Sequence, residues 1–435
     1  MEGALKFNRI CVLGLGYIGL PTASTFATQG LKVIGVDVNP RVVEILQKGG
    51  LHIHEPGLRT LVQAALSSGN LEISDRPQPA DAFIIAVPTP FYDDKRADMR
   101  AVTAAAEAIV PCLQPGNLVV LESTSPPRTT LELLAPILER SGLRAGTDFH
   151  LVYSPERVLP GQILREMIEK ARVIGGVSPA CAAAGRDLYA IFVRGEIVLT
   201  DATTAEMVKL MENTYRDVNI AVANEFARLA ESFQVNVWEA IALANRHPRV
   251  NILKPGPGVG GHCISVDPWF LVEAAPDQTP LIQAARMVNS TQPGYVAGLV
   301  RSVCGDLKGR RIAILGLSYK PDVDDLRESP AIEIAQLLAA SGAEVVVYEP
   351  NKPDLQIAGL ECAATLEAAL KQVDLIALLV AHSDFLGLDP ASVAAMTTTR
   401  VVVDAVNGWS SPAWRQAGFQ VFRLGDGSQR PISGN

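Results

Sequence analysis

One cysteine of this 435-residue chain lies in a loop of unusual composition, Lys254–Asp267, with the sequence KPGPGVGGHCISVD. Cys263 carries a thiol, which as a thiolate attacks electrophilic carbon. The glycines around it remove Cβ atoms that would keep backbone N–H groups away from a bound anion. The loop therefore favours a nucleophile beside a phosphate cradle, although a small apolar cysteine that merely fills space fits the same sequence. We expect His262 to be a loop residue and not a partner of the thiol, because neighbouring side chains in an extended segment point to opposite sides.

A stripe of polar residues accompanies a long stretch without glycine or proline, from about Ala202 to Phe233. The apolar periodicity of this stretch predicts one long helix. Lys209, Asn213 and Arg216 are spaced at i, i+4 and i+7, so they project from one side of that helix. Apolar neighbours suggest partial burial, and both a functional stripe and a solvated charged face fit the pattern.

The N-terminal segment RICVLGLGYIGLP joins an apolar strand pattern to a GxGxxG turn and the start of a helix, and the next strand pattern ends in Asp37. Gly14 allows the tight turn, Gly16 lets the backbone approach a pyrophosphate, and Gly19 permits close packing of helix on strand. Asp37 would accept ribose hydroxyls, and with no arginine directly after it the pattern favours NAD over NADP. A glycine-rich turn in another kind of α/β protein is the alternative.

Further apolar runs end abruptly in loops rich in proline, threonine and serine, at residues 81–90 and 117–124. Buried parallel strands have this pattern, and in an open doubly wound sheet ligands bind beyond the carboxyl ends of the strands. Thr89 and Thr124 are therefore expected over the nucleotide. Simple caps of strand ends are the alternative interpretation.

The α/β rhythm restarts at RRIAILGLSYKP, from residue 310, and its second strand pattern ends in Glu349. Gly316 corresponds to the first glycine of the earlier turn, but the second and third glycines are missing. This half is therefore expected to hold a mononucleotide moiety and not a dinucleotide, with Lys320 and Arg327 as local cations.

Composition limits the remaining possibilities. The length predicts two or three domains, and no apolar run is long enough to cross a bilayer. The net charge of −8 argues against a nucleic-acid surface, and six widely spaced cysteines without a CxxC pair signal neither a disulfide framework nor a zinc site. The N-terminal residues leave no room for a signal peptide, so a cytoplasmic location is expected.

The predicted fold is α/β, with two Rossmann-like doubly wound domains joined by a long central helix and a helical middle region. The predicted domains are residues 1–198, which bind NAD, 199–298, which form the central helical domain with the cysteine loop, and 299–435, which form the second Rossmann-like domain.

The chain resembles the UDP-glucose/UDP-N-acetylhexosamine 6-dehydrogenases along essentially its whole length. In that family's UDP-glucose branch a lysine usually stands between the cysteine and the aspartate of the loop, where this chain has Val266. With SPERVLPG and ANRHPRVN, this resembles the branch that acts on UDP-N-acetyl-D-mannosamine; relatives acting on UDP-GlcNAc or UDP-GalNAc share the same loop. The motifs that carry the resemblance are GLGYIGLP at 14–21, VPTP at 87–90, ESTSPP at 122–127, SPERVLPG at 154–161, KLMEN at 209–213, HPRVN at 247–251, GVGGHCISVDP at 258–268 and SYKPDVDDLRESP at 318–330.

The resemblance implies oxidation of a primary alcohol, C6 of the sugar, to a carboxylate with two NAD⁺ per turnover and no metal. Cys263 would form a thiohemiacetal and then a thioester, with its thiol pKa lowered by Lys209 and nearby loop N–H groups. Lys209 and Asn213 would stabilise the developing oxyanion, and Asp267 with Lys209 would transfer protons. Glu156 would activate water for thioester hydrolysis.

The resemblance also implies binding residues and partners. The substrate is a UDP-N-acetylhexosamine for bacterial surface polysaccharide synthesis, and a homodimer or higher assembly would form on the long helix. Which of Arg246, His247 and Arg249 reaches a neighbouring site is left open. The cofactor residues are Gly14, Gly16, Tyr17, Ile18, Gly19, Asp37, Thr89, Thr124 and Arg327. The substrate residues are Arg157, Val158, Lys209, Asn213, Arg216, His247, Arg249, Gly260 and Lys320.

Two other function classes compete with this interpretation. A hydroxy-acid or 6-phosphogluconate-type dehydrogenase shares the N-terminal fold and a long central helix but performs a single NAD step and needs no cysteine. A non-enzymatic nucleotide-sugar sensor is disfavoured, because Lys209, Asn213, Cys263 and Asp267 are all present.

Overall fold

A computed structural model describes residues 7–261 and 263–427. The chain divides into two compact units. The first runs up to Glu212 and takes in Trp269–Pro276, and the second comprises Asn213–Pro268 and the chain from Asp277 onward. The division of the chain into three domains at 198 and 298 stays a prediction.

An eight-stranded sheet forms the centre of the first unit, in the order β3-β2-β1-β4-β5-β6-β7-β8. Neighbouring strands are parallel except β6 and β7, which run antiparallel. The strands are β1 Arg9–Leu13, β2 Lys32–Val36, β3 Leu71–Ser74, β4 Ala82–Ile85, β5 Leu118–Leu121, β6 His150–Tyr153, β7 Arg172–Gly176 and β8 Ile197–Asp201.

Helices cover both faces of this sheet, because alternate side chains of its central strands enter two separate cores. Ile10 and Val12 belong to one core, and Cys11 and Leu13 belong to the other. Strands buried on both faces explain the continuous apolar runs of the sequence. The helices are α1 Gly19–Thr28, α2 Pro40–Gln47, α3 Leu58–Ser67, α4 Arg100–Ile109, α5 Ala135–Leu138, α6 Ile163–Glu169 and α7 Pro179–Tyr189, with short 3₁₀ turns at Val110–Cys112 and Glu139–Ser141 and a π turn at Thr130–Leu134.

Two helices contribute residues to both units: α8 Ala202–Phe233 and α10 Asp267–Ala274. The helix predicted from residue 202 to residue 233 is thus present with those bounds. A 3₁₀ turn at Pro276–Gln278 follows α10.

A six-stranded parallel sheet forms the centre of the second unit, in the order β11-β10-β9-β12-β13-β14. Its strands are β9 Arg311–Leu315, β10 Glu344–Tyr348, β11 Glu361–Cys362, β12 Leu375–Leu378, β13 Val401–Asp404 and β14 Gln420–Arg423. The helices of this unit are α9 Val237–Ala244, α11 Pro280–Cys304, α12 Pro330–Ala340, α13 Leu366–Leu370, α14 Ser383–Leu386, α15 Pro390–Met396 and α16 Ser411–Gln416.

The predicted α/β class with two Rossmann-like sheets and a helical middle region is confirmed. Within residues 7–261 and 263–427, none of the helices combines the length and the apolar character that crossing a bilayer requires.

Candidate functional site

The glycine-rich turn after β1 has the geometry that the sequence predicted. Gly14 has φ of +91°, and a Cβ there would lie 2.5 Å from the Ala86 carbonyl oxygen. A Cβ on Gly19 would lie 1.8 Å from the Gly14 carbonyl oxygen, so the helix packs against the turn as closely as backbone allows. At Gly16, by contrast, a Cβ would meet nothing within 4 Å. The space beside Gly16 is open, as a pyrophosphate site requires.

The residues around this turn fit a dinucleotide. Helix α1 begins at Gly19, directly after the turn, and the positive end of its dipole favours an anion there. Asp37 follows β2, and its carboxylate accepts hydrogen bonds from the backbone N–H groups of Leu15 at 3.0 Å and Asn39 at 2.9 Å. These bonds fix the acid beside the glycine turn.

Thr89 and Thr124 lie in the loops that follow β4 and β5, as predicted, and both are half-buried. The two loops are tied together because the Ser123 hydroxyl donates to the carbonyl of Val87 at 2.7 Å. Tyr17 is half-buried against the core of the first unit.

Glu156 lies three residues beyond β6, and its carboxylate is held by a buried arginine that the sequence analysis did not single out. Arg172 donates from Nη1 to Glu156 Oε2 at 2.9 Å, and Glu156 is 9% exposed. The neighbouring Arg157 pairs with Glu212 at 2.6 Å. Val158 packs against the adjoining core. The SPERV segment is therefore anchored by two ion pairs and an apolar contact.

Burial decreases along the polar stripe of α8. Lys209 is 8% exposed, Asn213 is half-buried and Arg216 is exposed. The start of this helix is fixed by Glu206, which is fully buried and accepts hydrogen bonds from the Thr130 N–H at 2.8 Å and hydroxyl at 2.6 Å.

Cys263 begins a turn that leads directly into α10. The Cys263 carbonyl accepts hydrogen bonds from the N–H groups of Val266 at 3.1 Å and Asp267 at 2.8 Å. Asp267 is the first residue of α10, is 2% exposed, and accepts a hydrogen bond from the Asn213 amide. One turn thus fixes the spacing between the thiol and a buried carboxylate. His262 lies outside the described residues.

The glycines before this turn are required by packing between two loops. A Cβ on Gly260 would lie 2.4 Å from the Glu328 carbonyl oxygen. Gly261 has φ of +79°, and a Cβ there would lie 2.8 Å from the Tyr319 ring. The Gly261 N–H donates to the carbonyl of Arg327 at 3.0 Å. Contact with the SYKPDVDDLRESP segment therefore accounts for these two glycines, and their part in an anion cradle stays a prediction.

Two buried amides clamp the other end of the cysteine loop. The Gly256 N–H donates to Asn224 Oδ1 at 2.9 Å, and the Gly256 carbonyl accepts from Gln292 Nε2 at 3.0 Å. Asn224 is on α8 and Gln292 on α11, and both are fully buried. Asn289 on α11 accepts from the Asn224 amide at 3.0 Å.

In the second sheet the acid at the end of β10 occupies the place that Asp37 occupies in the first. Glu349 Oε2 accepts from the N–H groups of Leu317 at 2.8 Å and Ser318 at 3.0 Å. The buried ring of His382 lies 3.0 Å from the same carboxylate oxygen. Since the imidazole covers this acid, the carboxylate is less accessible to a ribose than Asp37 is, which agrees with the expectation that this half does not hold a dinucleotide in the same way.

The loop after β9 carries the two cations predicted for this half. Lys320 is half-buried beside the ring of Tyr319. Arg327 forms a two-pronged ion pair with Asp325, at 2.9 and 2.6 Å. His247 and Arg249 lie after α9, and both are exposed, as is Arg246.

Family comparisons agree with this architecture. Three domains of the UDP-glucose/GDP-mannose dehydrogenase family match in order: the NAD binding domain at residues 8–193, the central domain at 203–291 and the UDP binding domain at 313–411. The chain belongs to this family.

Individual relatives cover nearly the whole chain. A UDP-N-acetyl-D-mannosamine dehydrogenase of Campylobacter jejuni is 49% identical over 88% of this chain and 97% of its own length. An NDP-N-acetyl-D-galactosaminuronic acid dehydrogenase of Ralstonia nicotianae is also 49% identical, over 94% of this chain and 97% of its own. The solved structure of a UDP-D-ManNAc dehydrogenase from Pyrococcus horikoshii superposes with a TM-score of 0.90 at 41% identity, covering 96% of this chain and 99% of that one.

The chain is therefore an NAD-dependent UDP-sugar dehydrogenase. Its N-terminal glycine turn and Asp37 lie within the residues that match the NAD binding domain, and their contacts with NAD stay a prediction.

Proposed function

We propose that this enzyme oxidises UDP-N-acetyl-D-mannosamine at C6 to UDP-N-acetyl-D-mannosaminuronate, in two NAD-dependent steps, for bacterial surface polysaccharide synthesis. The proposal of two oxidation steps rests on the turn that joins Cys263 to the buried Asp267. Asp267 accepts a hydrogen bond from the Asn213 amide. The choice of sugar rests on Val266 in that turn and on the relatives of Campylobacter jejuni and Pyrococcus horikoshii.

A thiol is needed because one hydride transfer stops at the aldehyde. Each NAD⁺, when bound, accepts one hydride from C6. Cys263 adds through sulfur to the aldehyde carbon, which forms a thiohemiacetal with a hydroxyl and a hydrogen on that carbon. Loss of the second hydride and of the hydroxyl proton gives a thioester. Water then displaces the sulfur, and the carbon–sulfur bond breaks to give the carboxylate and the thiolate.

The remaining polar residues are assigned to stabilising negative charge on the sugar oxygen and to proton transfer. Lys209 and Asn213 stabilise the oxyanion that develops on the sugar oxygen, and Lys209 with Asp267 receives the alcohol protons. Glu156 takes a proton from the water that hydrolyses the thioester. The burial of Lys209 and Asp267 supports these assignments, because hydrogen bonds to charge are stronger where water is excluded.

We assign the binding of the UDP-sugar to a set of charged and neutral residues. We assign the binding of NAD to the glycine turn and to the loops that follow the strands. The substrate set is Arg157, Val158, Lys209, Asn213, Arg216, His247, Arg249, Gly260 and Lys320. The cofactor set is Gly14, Gly16, Tyr17, Ile18, Gly19, Asp37, Thr89, Thr124 and Arg327.

A homodimer is part of the proposal. Apolar side chains that are 40–73% exposed form a stripe on α8 with spacings of four, seven, four, three and four residues. This near-heptad repeat is typical of a helix that pairs with another helix, and a second copy of this chain supplies one. Near its end lies an apolar groove of 360 Å³ lined by Phe226, Phe233 and Ile241. The stripe consists of Met211, Tyr215, Val222, Phe226, Leu229 and Phe233.

We also place the enzyme in the cytoplasm, a compartment in which the Cys263 thiol would stay reduced.

Purified protein assayed against UDP-ManNAc, UDP-GlcNAc, UDP-GalNAc and UDP-glucose tests the substrate. We expect the highest kcat/KM with UDP-ManNAc and two NADH per acid formed. Equal or better turnover of UDP-glucose would refute the choice of sugar, and a preference for UDP-GalNAc would match the Ralstonia relative instead.

Replacement of the thiol tests the mechanism. Cys263→Ser should lower acid formation by orders of magnitude, whereas a single-step dehydrogenase would be nearly unaffected. Cys304→Ser is the matched control, because burial raises the pKa of the Cys304 thiol to about 11 and makes it a poor nucleophile.

A further inference from the structure

One buried arginine serves two carboxylates in the first unit. Arg172 is 4% exposed and donates from Nη2 to Glu122 Oε1 at 2.5 Å and from Nη1 to Glu156 Oε2 at 2.9 Å. Its Nε donates to the Ser154 hydroxyl at 2.9 Å, and its guanidinium carbon lies 3.7 Å from the centre of the Tyr189 ring. The guanidinium is therefore fixed on both edges and one face.

The antiparallel pairing of β6 and β7 brings these groups together. Glu122 directly follows β5, and Glu156 follows β6 by three residues. Because β7 runs opposite to β6, its first residue, Arg172, lies at the edge of the sheet where β5 and β6 end. A fully parallel sheet would place the start of β7 at the other edge.

The side chain of Glu122 has no access to solvent, and only one of its carboxylate oxygens has a hydrogen-bond partner among the described residues. Its Oε1 accepts from Arg172 and from the Tyr189 hydroxyl at 2.5 Å, while its Oε2 is buried without a hydrogen-bond partner among the described residues. Arg172, Glu156 and Tyr189 are the charged or titratable groups that act on it. Burial raises the pKa of Glu122 to about 7, against the attraction of Arg172. The cluster thus gains or loses one negative charge close to neutral pH.

We propose that Glu122 is a positioning residue for Glu156: it competes for the charge of Arg172 and so keeps the Glu156 carboxylate basic enough to take a proton from the hydrolytic water. This inference rests on the proposed role of Glu156. In that step the water oxygen bonds to the acyl carbon, one water proton passes to Glu156, and the carbon–sulfur bond breaks with the electron pair leaving on the Cys263 sulfur. The product acid then loses its remaining proton to solvent.

Glu122→Gln tests the inference, because it removes the competing charge and keeps the shape. The contrast is between two pH values: at pH 8 wild-type Glu122 is ionised and draws on the charge of Arg172, whereas at pH 5.5 it is protonated and the glutamine reproduces its neutral form. At pH 5.5 the variant should therefore hydrolyse the thioester at close to the wild-type rate. The thioester-hydrolysis rate at pH 8 should fall about tenfold, because a weaker base accepts the proton less readily. The first NADH burst in single-turnover experiments should stay within about twofold of the wild-type rate.

Tyr189→Phe supplies a second variant in case Glu122→Gln does not fold. It removes a hydrogen bond that favours the ionised form of Glu122, so hydrolysis at pH 8 should fall by a smaller factor than in Glu122→Gln. Wild-type hydrolysis rates at pH 8 in both folded variants overturn the inference, as does an equal loss of the first NADH burst and of hydrolysis. Glu156→Gln separates the two proposals: if this variant still hydrolyses the thioester at the wild-type rate, the proposed function of Glu156 fails, whatever the Glu122 variant does.

Discussion

The side chains of Asn213 and Asp267 are hydrogen-bonded to each other, with the Asn213 amide donating to Asp267 Oδ2. The bond joins the middle of α8 to the first residue of α10, four residues beyond Cys263. Since a carboxylate accepts and an amide nitrogen donates, this contact fixes the orientation of both groups.

We predict that Asp267→Asn lowers kcat by about 10²–10⁴-fold with little change in KM for either substrate, since the amide keeps the shape but loses the proton acceptor. Steady-state rates with NADH detection measure it. The exposed Asp277→Asn is the control and should retain wild-type rates. Wild-type turnover by Asp267→Asn would remove Asp267 from proton transfer.

The clamp on Gly256 predicts a stability effect. Asn224→Ala leaves the half-buried Gly256 N–H without its acceptor, and Gln292→Ala leaves the Gly256 carbonyl without its donor. Each should lower the free energy of unfolding by about 1–3 kcal/mol. Urea unfolding measures the change.

Glu225→Ala serves as the matched control, because Glu225 adjoins Asn224 on α8 but is exposed. Its effect should stay within about 0.5 kcal/mol. If both clamp variants unfold like this control, the two hydrogen bonds do not hold the cysteine loop.

His382 predicts a substrate-specific effect. Its Nδ1 accepts from the Asp322 N–H at 3.0 Å, so the neutral ring carries its proton on Nε2, which faces Glu349 at 3.0 Å. His382→Ala removes the acceptor of the Asp322 N–H, which belongs to the loop that carries Lys320. We expect a loss of about 1–3 kcal/mol in stability and a rise in KM for the UDP-sugar at unchanged KM for NAD⁺.

His382→Asn, which keeps an acceptor near the Nδ1 position, should recover part of the affinity for the UDP-sugar. The exposed His54→Ala is the control and should change neither KM. Equal rises in both KM values would show a general loss of structure and not a role for this loop.

Burial of Glu122 predicts the sign of a pH effect on stability. The pKa of Glu122 is raised to about 7 in the folded chain, above the ordinary value of about 4.5, so the folded state binds more protons between these pH values. Stability from this group is present below about pH 4.5 and is lost as pH rises through about 7. Relative to wild type, Glu122→Gln should therefore gain stability between pH 5.5 and 8.

Melting temperatures of the two proteins at both pH values measure this difference. The exposed Glu107→Gln is the control, and its offset from wild type should stay nearly constant between these pH values. A Glu122→Gln offset that is the same at both pH values would show that the buried carboxylate is ionised throughout the range.

Much of the fold and several candidate residues could be predicted from the sequence because their signals are local. Gly14, Gly16 and Gly19 lie within six residues, and the long helix is one uninterrupted stretch without glycine or proline. Cys263 and Asp267 belong to one turn. In each case the residues that act together are also neighbours along the chain.

The clusters that sequence reasoning missed are assembled from distant segments. Glu122 and Arg172 are 50 positions apart, and their contact depends on the antiparallel pairing of β6 and β7, which no periodic pattern of the sequence indicates. His382 and Glu349 are 33 positions apart and meet only through the order of strands in the second sheet. One sequence signal could have drawn attention to Arg172: it is a charged residue directly before an apolar strand pattern.

The apolar stripe of α8 predicts the oligomeric state. Val222 and Phe226 are exposed at adjacent turns of the stripe, and a carboxylate at either position would be desolvated in a helix pair without a partner. We expect the double variant Val222→Glu, Phe226→Glu to raise the dimer Kd at least about 100-fold, as loss of central apolar contacts does. Light scattering over a concentration series, in which wild type has the mass of a dimer, measures it. Met287→Glu, on the exposed side of α11 and outside the stripe, should leave the dimer intact. A dimer that persists in the double variant, or that dissociates with Met287→Glu alone, would place the interface elsewhere.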